Sequence, residues 1–457
     1  MSEKTRKRLI LVACILGSTI VFIDSTVVNV ALPAIRRDLG GGLVLQEWVV
    51  DAYLLTLGSL ILVGGSLADL FGEKRVFSLG VAAFGVTSLL CALAPDGTVL
   101  ILARGLQGIA GALLTPAALA TITAVFSGEE RGAAIGTWTA WTGIAFVIGP
   151  LLGGWLVSVA SWRSIFFINL PFVAVTLAMI SISLRGRVQA KARARVDVVG
   201  GILCMLGLGG PVFALIEMPK RGFADPLILA TLFGGVALLA GFAVWEQRAP
   251  SPMLPLRLFR KRNFTFANIE TFAVYAALST LTFFLVIFLQ QLAGYSPFRS
   301  GLATVPITVV MFLLSPRVGR LSMRLGPRYF MGIGPLVCAA SLVWMRELKP
   351  GFSYWTALLP PLIVFAVGLS LIVAPLTSTV LADAGEGDAG IASGVNNAIA
   401  RVAGLIGIAV VGAAIAGSAN RLDMPGFRLS MAITAGLIAV GGVIGLAGIR
   451  NTGRARS

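Results

Sequence analysis

The amino-acid sequence predicts an all-α polytopic membrane protein with fourteen transmembrane helices in a 6 + 2 + 6 plan, two six-helix halves related by a pseudo-twofold axis. Three observations predict it. Of 457 residues, 57% are hydrophobic and only 12% charged, with a mean hydropathy of +0.92; soluble domains carry about 25% charged residues. The apolar residues fall in long runs, each near the ~20 residues that cross a ~30 Å hydrocarbon layer. The basic residues gather in short loops on one side of those runs, as the positive-inside rule requires. A soluble globular enzyme is excluded.

The first run, 9–32, follows Lys4, Arg6, Lys7 and Arg8. It looks like a signal peptide, but it continues past Asp24 and shows no A-x-A-like cleavage site at the usual place. It therefore reads as an uncleaved first span with its N-terminus in the cytoplasm. Further runs follow at 47–70, 76–94, 98–121, 134–158, 164–184, 197–217, 227–246, 264–290, 299–319, 329–346, 354–378, 389–416 and 427–449. Their even total returns the C-terminus to the cytoplasmic side. On that topology 24 of the 36 basic residues lie on the inner side and 10 on the outer, with Arg104 and Arg401 inside spans. The bias fixes the orientation, and it also accounts for the net charge of +16 without nucleic acid.

Two inner loops mark boundaries: the basic stretch 185–196, and 247–263 with Pro250, Pro252, Pro255 and Arg260-Lys261-Arg262. They divide the chain into a six-helix bundle at 1–184, a linker with two extra spans at 185–263, and a second six-helix bundle at 264–457. An internal repeat agrees. Gly65-Ser66-Leu67-Ala68-Asp69-Leu70-Phe71-Gly72-Glu73-Lys74 aligns with Gly319-Arg320-Leu321-Ser322-Met323-Arg324-Leu325-Gly326-Pro327-Arg328, each after the second span of its half. Halves repeated in parallel point to a transporter with its binding site near the midplane.

Histidine is absent, so proton handling falls to carboxylates. Cys14, Cys91, Cys204 and Cys338 lie in apolar runs without C-x-x-C spacing and read as small core residues, not as metal ligands or disulfides. The lack of histidine, of a metal-ligand cluster and of long loops counts against a membrane-embedded enzyme. No Walker-type G-x-x-x-x-G-K-[ST] appears.

Charged residues inside spans are functional candidates by default. Asp24 lies about 22 Å into the first span at 1.5 Å per residue, in the outer half of the membrane. A bare carboxylate is costly to ionise there, as a proton carrier requires; the alternative is a packing residue bonded to Thr26 or Asn29. Arg104 enters span four from outside after about six residues and must face a partner or a wet cavity, or else snorkel outward. Asp51, close after Trp48, and Glu270 in span nine could each bind a cation or a second proton; Asp51 could instead be interfacial, and Glu270 could instead pair with a basic residue of the 257–262 loop. Arg401, with Asn396 and Asn397, is a counter-ion for Glu270 or a packing anchor. Aromatic residues along the spans, Tyr53, Trp138 and Tyr275 among them, either suit apolar pockets for amphipathic molecules or face lipid and pack between helices, and none stands out as a site residue.

Gly65-x-Leu67-Ala68-Asp69-x-x-Gly72-x-Lys74-Arg75 resembles the signature loop between spans two and three of the major facilitator superfamily. Four further segments resemble its fourteen-span drug:proton antiporter family. They are Asp24 through Pro33, Arg104-Gly105-Leu106-Gln107-Gly108, Gly143 through Gly149-Pro150-Leu151-Leu152-Gly153-Gly154, and Trp162-Arg163-x-Ile165-Phe166-x-Ile168-Asn169-x-Pro171. The resemblance covers essentially the whole chain.

It implies the major facilitator fold, alternating access, and export of hydrophobic or cationic drugs driven by the proton gradient with no cofactor. Its partners would be small substrates, protons and the lipid bilayer, with the monomer functional in the cell membrane. By resemblance Arg104 gates proton movement, and the loop of Gly65, Asp69, Gly72, Lys74 and Arg75 latches the halves together in the outward-open state. The second copy has Met323 where Asp69 stands, and Leu70 replaces the usual basic residue. In span five, Gly149-Pro150 breaks one backbone bond and permits a kink, while Gly143, Gly153 and Gly154 allow close helix approach; the resemblance there favours antiport over uptake. Export of one endogenous antibiotic, lipid or metabolite is the alternative, and a non-transporting sensor lies further off.

Overall fold

Inside a bilayer the backbone must satisfy its own hydrogen bonds, so long apolar segments become helices. A computed structural model describes residues 2–183, 196–384, 388–415 and 421–451. The helices are α1 (Glu3–Leu39), α2 (Gly42–Phe71), α3 (Glu73–Ala92), α4 (Gly97–Val125), α5 (Gly128–Val159), α6 (Ser164–Phe167), α7 (Asn169–Ser183), α8 (Val198–Arg221) and α9 (Pro226–Arg248). They continue as α10 (Arg262–Ile287), α11 (Pro297–Leu325), α12 (Arg328–Met345), α13 (Leu359–Ala384), α14 (Ala389–Ile415) and α15 (Met424–Gly448). Among the described residues they make 14 spans, α6 and α7 counting as one. The basic stretch 185–195, together with Arg454 and Arg456, lies outside the described residues.

Three departures from the sequence reading have local causes. The first helix runs well beyond 9–32 at both ends, because helical geometry does not stop where hydropathy does; Ser2 caps its start by accepting from Thr5 N at 3.2 Å. The single span expected at 164–184 breaks at Ile168 between α6 and α7. Pro171 lacks the N–H that the Phe167 carbonyl would accept, which interrupts the ladder there. Finally, α10 passes into a π-helical turn at Phe288–Leu292, and another at Tyr354–Leu358 leads into α13.

Helix ends follow the local chemistry. Gly40, Gly41 and Gly42 between α1 and α2 have φ of 75°, 79° and 67°, a left-handed run that residues with a Cβ rarely adopt. Asp96, Asp197, Asp225 and Asp423 cap α4, α8, α9 and α15 by accepting from the backbone N–H of the second or third residue of each helix. Asp423 accepts from Gly426 N at 2.7 Å. Replacing it by alanine should cost about 1 kcal/mol, within the range for lost caps, and lower the melting temperature of the detergent-solubilised chain; Asp423→Asn should retain most of it. At the other end of α15 the Arg262 and Arg328 side chains donate to the carbonyls of Gly448, Ala447 and Leu446, where cations complement the helix dipole.

The chain forms two units, one of residues 1–254 with 296–301 and the other of 255–295 with 302–457. In the first, α4 packs on α2 and α3, α1 on α4, α5 and α7, and the hairpin α8–α9 is joined through α8 to α2. In the second, α10 is the central helix against α13, α14 and α15, with α12 between α13 and α15.

Candidate functional site

Asp24 on α1 is fully buried and Arg104 on α4 is 1% exposed. Each alone would cost several kcal/mol to remove from water; the fold brings them together. Arg104 Nη1 donates to Asp24 Oδ2 at 2.5 Å and to Gln107 Oε1 at 2.7 Å, and Nε donates to the Val49 carbonyl of α2 at 3.0 Å. Gln107 Nε2 donates to Asp24 Oδ1 at 3.0 Å. Asn169, the first residue of α7, gives its amide to the same oxygen at 3.3 Å and to Ser88 Oγ at 2.9 Å. The guanidinium lies 4.2 Å from the Tyr53 ring centroid, a cation–π contact. Three side chains from α4 and α7 thus donate to one carboxylate, and Arg104 reaches inward rather than snorkelling.

The local sequence explains the geometry. Arg104 and Gln107, three residues apart, share one face of α4. A Cβ at Gly108 would overlap Thr56 Oγ1 and the Tyr53 carbonyl, and one at Gly64 would overlap the Ala112 carbonyl. These two glycines let α2 and α4 close enough for Arg104 to reach Val49. Gln107, Asn169, Ser88 and Tyr53 were not singled out as site residues from sequence. Gln107 and Asn169 stand inside the motif stretches, which was the available signal.

Asp51 on α2 is fully buried rather than interfacial, and neither carboxylate oxygen has a hydrogen-bond partner. Glu47, one turn earlier, is also buried, and Glu217 of α8 accepts from Trp48 Nε1 at 3.0 Å. Sequence reading passed over both of these acids.

In the second unit Glu270 on α10 is fully buried with both oxygens unpartnered, facing Gly445 of α15. The pairing with the 257–262 loop is not formed. Arg257 instead bonds Asp388 at 2.7 Å, Lys261 donates to the carbonyls of Asp383 and Ala384, and Arg262 caps α15, because exposed helix ends offer acceptors without the cost of burying the cations. Nor is Arg401 bonded to Glu270; it lies near Tyr275. Asn396 joins Asn268 and Thr271 at 3.1 and 2.7 Å. A cavity of about 130 Å³ opens beside it, lined with Tyr275, Thr377, Ser393 and Asn397.

In the loop after α2, Gly72 has φ 89°, and Gly326 in the repeat has φ 88°; both positions need glycine for the turn itself. Asp69 and Lys74 are both engaged in interactions. Gly65 leaves ordinary room for a Cβ beside Pro116. On α5, a Cβ at Gly149 would overlap Thr26 of α1, and one at Gly153 would overlap Val27. Gly154 would meet the backbone at Pro297 and Phe298. Gly143 departs from the expectation of close approach: a Cβ there meets nothing within 4 Å, so no neighbouring helix crowds that position.

The family model described as Major Facilitator Superfamily matches residues 14–408. A methylenomycin A resistance protein of Bacillus subtilis is 34% identical over 425 residues, covering 92% of this chain and 90% of that protein. A puromycin resistance protein of Streptomyces alboniger is 35% identical, covering 88% and 80%. A tetracenomycin C resistance and export protein of Streptomyces glaucescens is 32% identical, covering 89% and 75%. Among solved structures, a peptide transporter POT in complex with sulfate superposes with a TM-score of 0.72 at 14% identity, covering 98% of each chain. A bacterial homolog of the human lysosomal transporter Spinster, inward-facing and unoccupied, gives 0.66 at 18%, also covering 98% of each. With fourteen membrane-length helices in place and the family model spanning most of its length, the chain belongs to the Major Facilitator Superfamily.

Proposed function

We propose that the protein exports hydrophobic or cationic drugs or antibiotics across the cell membrane in exchange for protons. The observation that carries this reading is the buried Asp24–Arg104 pair with its Gln107 and Asn169 donors. In the pair Arg104 and Gln107 both donate to Asp24. A proton arriving from outside neutralises it, weakens its hold on Arg104 and changes the restraints among α1, α2, α4 and α7. Substrate enters from the cytoplasm or inner leaflet and leaves as the halves alternate around it. Asp51 and Glu270 are the further candidates for proton or cation binding, and Arg401 is a candidate counter-ion or packing anchor in the same half as Glu270. The loop of Gly65, Asp69, Gly72, Lys74 and Arg75 serves as the latch, and the α5 seam of Gly149, Pro150, Gly153 and Gly154 serves the antiport cycle. The 6 + 2 + 6 division, cytoplasmic termini, a functional monomer and the absence of a cofactor belong to the same reading.

The test is efflux of ethidium from energised cells. Native chain should extrude the dye only while the proton gradient stands, and Asp24→Asn should remove the gradient-driven part. Efflux that survives Asp24→Asn would transfer the coupling role to Asp51 or Glu270. A narrower reading, export of one endogenous antibiotic, draws on the relatives named for single compounds. It predicts no efflux of ethidium or of a neutral or anionic dye by a well-expressed chain.

A further inference from the structure

Two acids outside that site face each other at one end of the α8–α9 hairpin. Asp197 Oδ1 accepts from Gly200 N and from Trp245 Nε1, each at 2.8 Å. Glu246 Oε2 accepts from Leu254 N at 2.9 Å, which ties the segment after α9 back to that helix. The remaining oxygens, Asp197 Oδ2 and Glu246 Oε1, are buried and have no partner; the residues are 8% and 3% exposed. Both oxygens converge on Gly200, at 2.6 and 2.7 Å from where its Cβ would stand.

Two ionised carboxylates this close repel strongly, and burial strengthens the repulsion. A single proton between them replaces the repulsion by a charge-assisted O–H···O⁻ bond, roughly twice as strong as a neutral one. Among the described residues, Cys204 of α8 is a further titratable neighbour of Glu246, Trp245 is neutral, and α2 brings Leu60 and Val63 against the adjoining Gly201. Among the described residues neither acid forms an ion pair, and no cluster of three metal-ligating side chains occurs.

We propose that Asp197 and Glu246 hold one proton between them, a proton-binding site of the two extra spans that fastens the segment 249–254 to α8 and α9. It is independent of the transport reading, because the hydrogen bonds that define it involve none of the residues around Asp24. With the proton present, Glu246 stays in place to accept from Leu254; when the proton leaves, the carboxylates separate and that bond is released.

Infrared difference spectra of the purified full-length chain at neutral pH provide the test. Asp197→Asn and Glu246→Gln are near-isosteric, and each should by itself remove one protonated-carboxyl band. Loss in Glu246→Gln alone would place the proton on one residue and overturn sharing. No loss in either would mean two ionised acids held by a cation, which overturns the site. Hydrogen exchange of the peptide holding Leu254 reads the fastening. After correction for intrinsic exchange, native protection should fall as pH rises, by up to about tenfold per pH unit while opening releases one proton. Glu246→Gln, whose amide can always donate to Asp197, should show no such slope. A flat native profile would rule out the fastening role.

Discussion

Arg104→Met should destabilise the folded chain by about 3–5 kcal/mol, the usual cost of leaving one member of a buried ion pair alone. Asp24 is fully buried, and without the guanidinium only the Gln107 and Asn169 amides would face its charge. The double variant Asp24→Asn/Arg104→Met removes both charges and should recover most of the loss. Thermal unfolding of the three variants in detergent gives the coupling energy directly. Stability in the double variant that equals the simple sum of the singles would show that the pair does not interact. Gradient-driven export should be absent from all three, so stability and coupling part company in the double variant.

Gly108→Val and Gly105→Ala should behave in opposite ways although both lie in the same five-residue motif. The Gly108 Cβ would overlap Thr56 Oγ1 and the Tyr53 carbonyl, whereas nothing lies within 4 Å of a Gly105 Cβ. Thr56 can turn aside, but the carbonyl cannot, so α2 and α4 must separate. Overpacking of this kind costs about 1–3 kcal/mol, and it also draws Arg104 away from Val49. Folded yield and melting temperature of Gly108→Val should drop sharply. Gly105→Ala should be neutral or gain up to about 1 kcal/mol from helix propensity. Equal losses at the two positions would refute close approach as the reason for Gly108.

The spans were legible because hydropathy depends only on composition along the chain, and burying an unpaired charge is costly enough to single out Asp24 and Arg104. Their pairing was not legible, since it depends on how α1 crosses α4. Gln107 and Asn169 stayed hidden for a related reason: amides are common in spans, and only the fold shows which of them meet a carboxylate. Gly143 and Gly153 read alike in sequence, yet only a Cβ at Gly153 would meet α1. The break at Ile168 was within reach, because Pro171 stands four residues after Phe167. Glu47 and Glu217 lay near the expected ends of spans, where acids usually reach water; α2 and α8 instead pack together there.

The Asp24–Arg104 pair carries no net charge while both members are ionised. On the proposed coupling, a proton arriving at Asp24 would cancel the negative member and leave a whole positive charge on a guanidinium 1% exposed to solvent. An elementary charge carried across the bilayer gains or loses about 2.3 kcal/mol for every 100 mV of membrane potential, and one moved part of the way feels the corresponding fraction. Any step that displaces the unmasked cation along the membrane normal is therefore an electrical event. Its equilibrium responds to voltage as well as to pH, even when the transported molecule has no charge of its own.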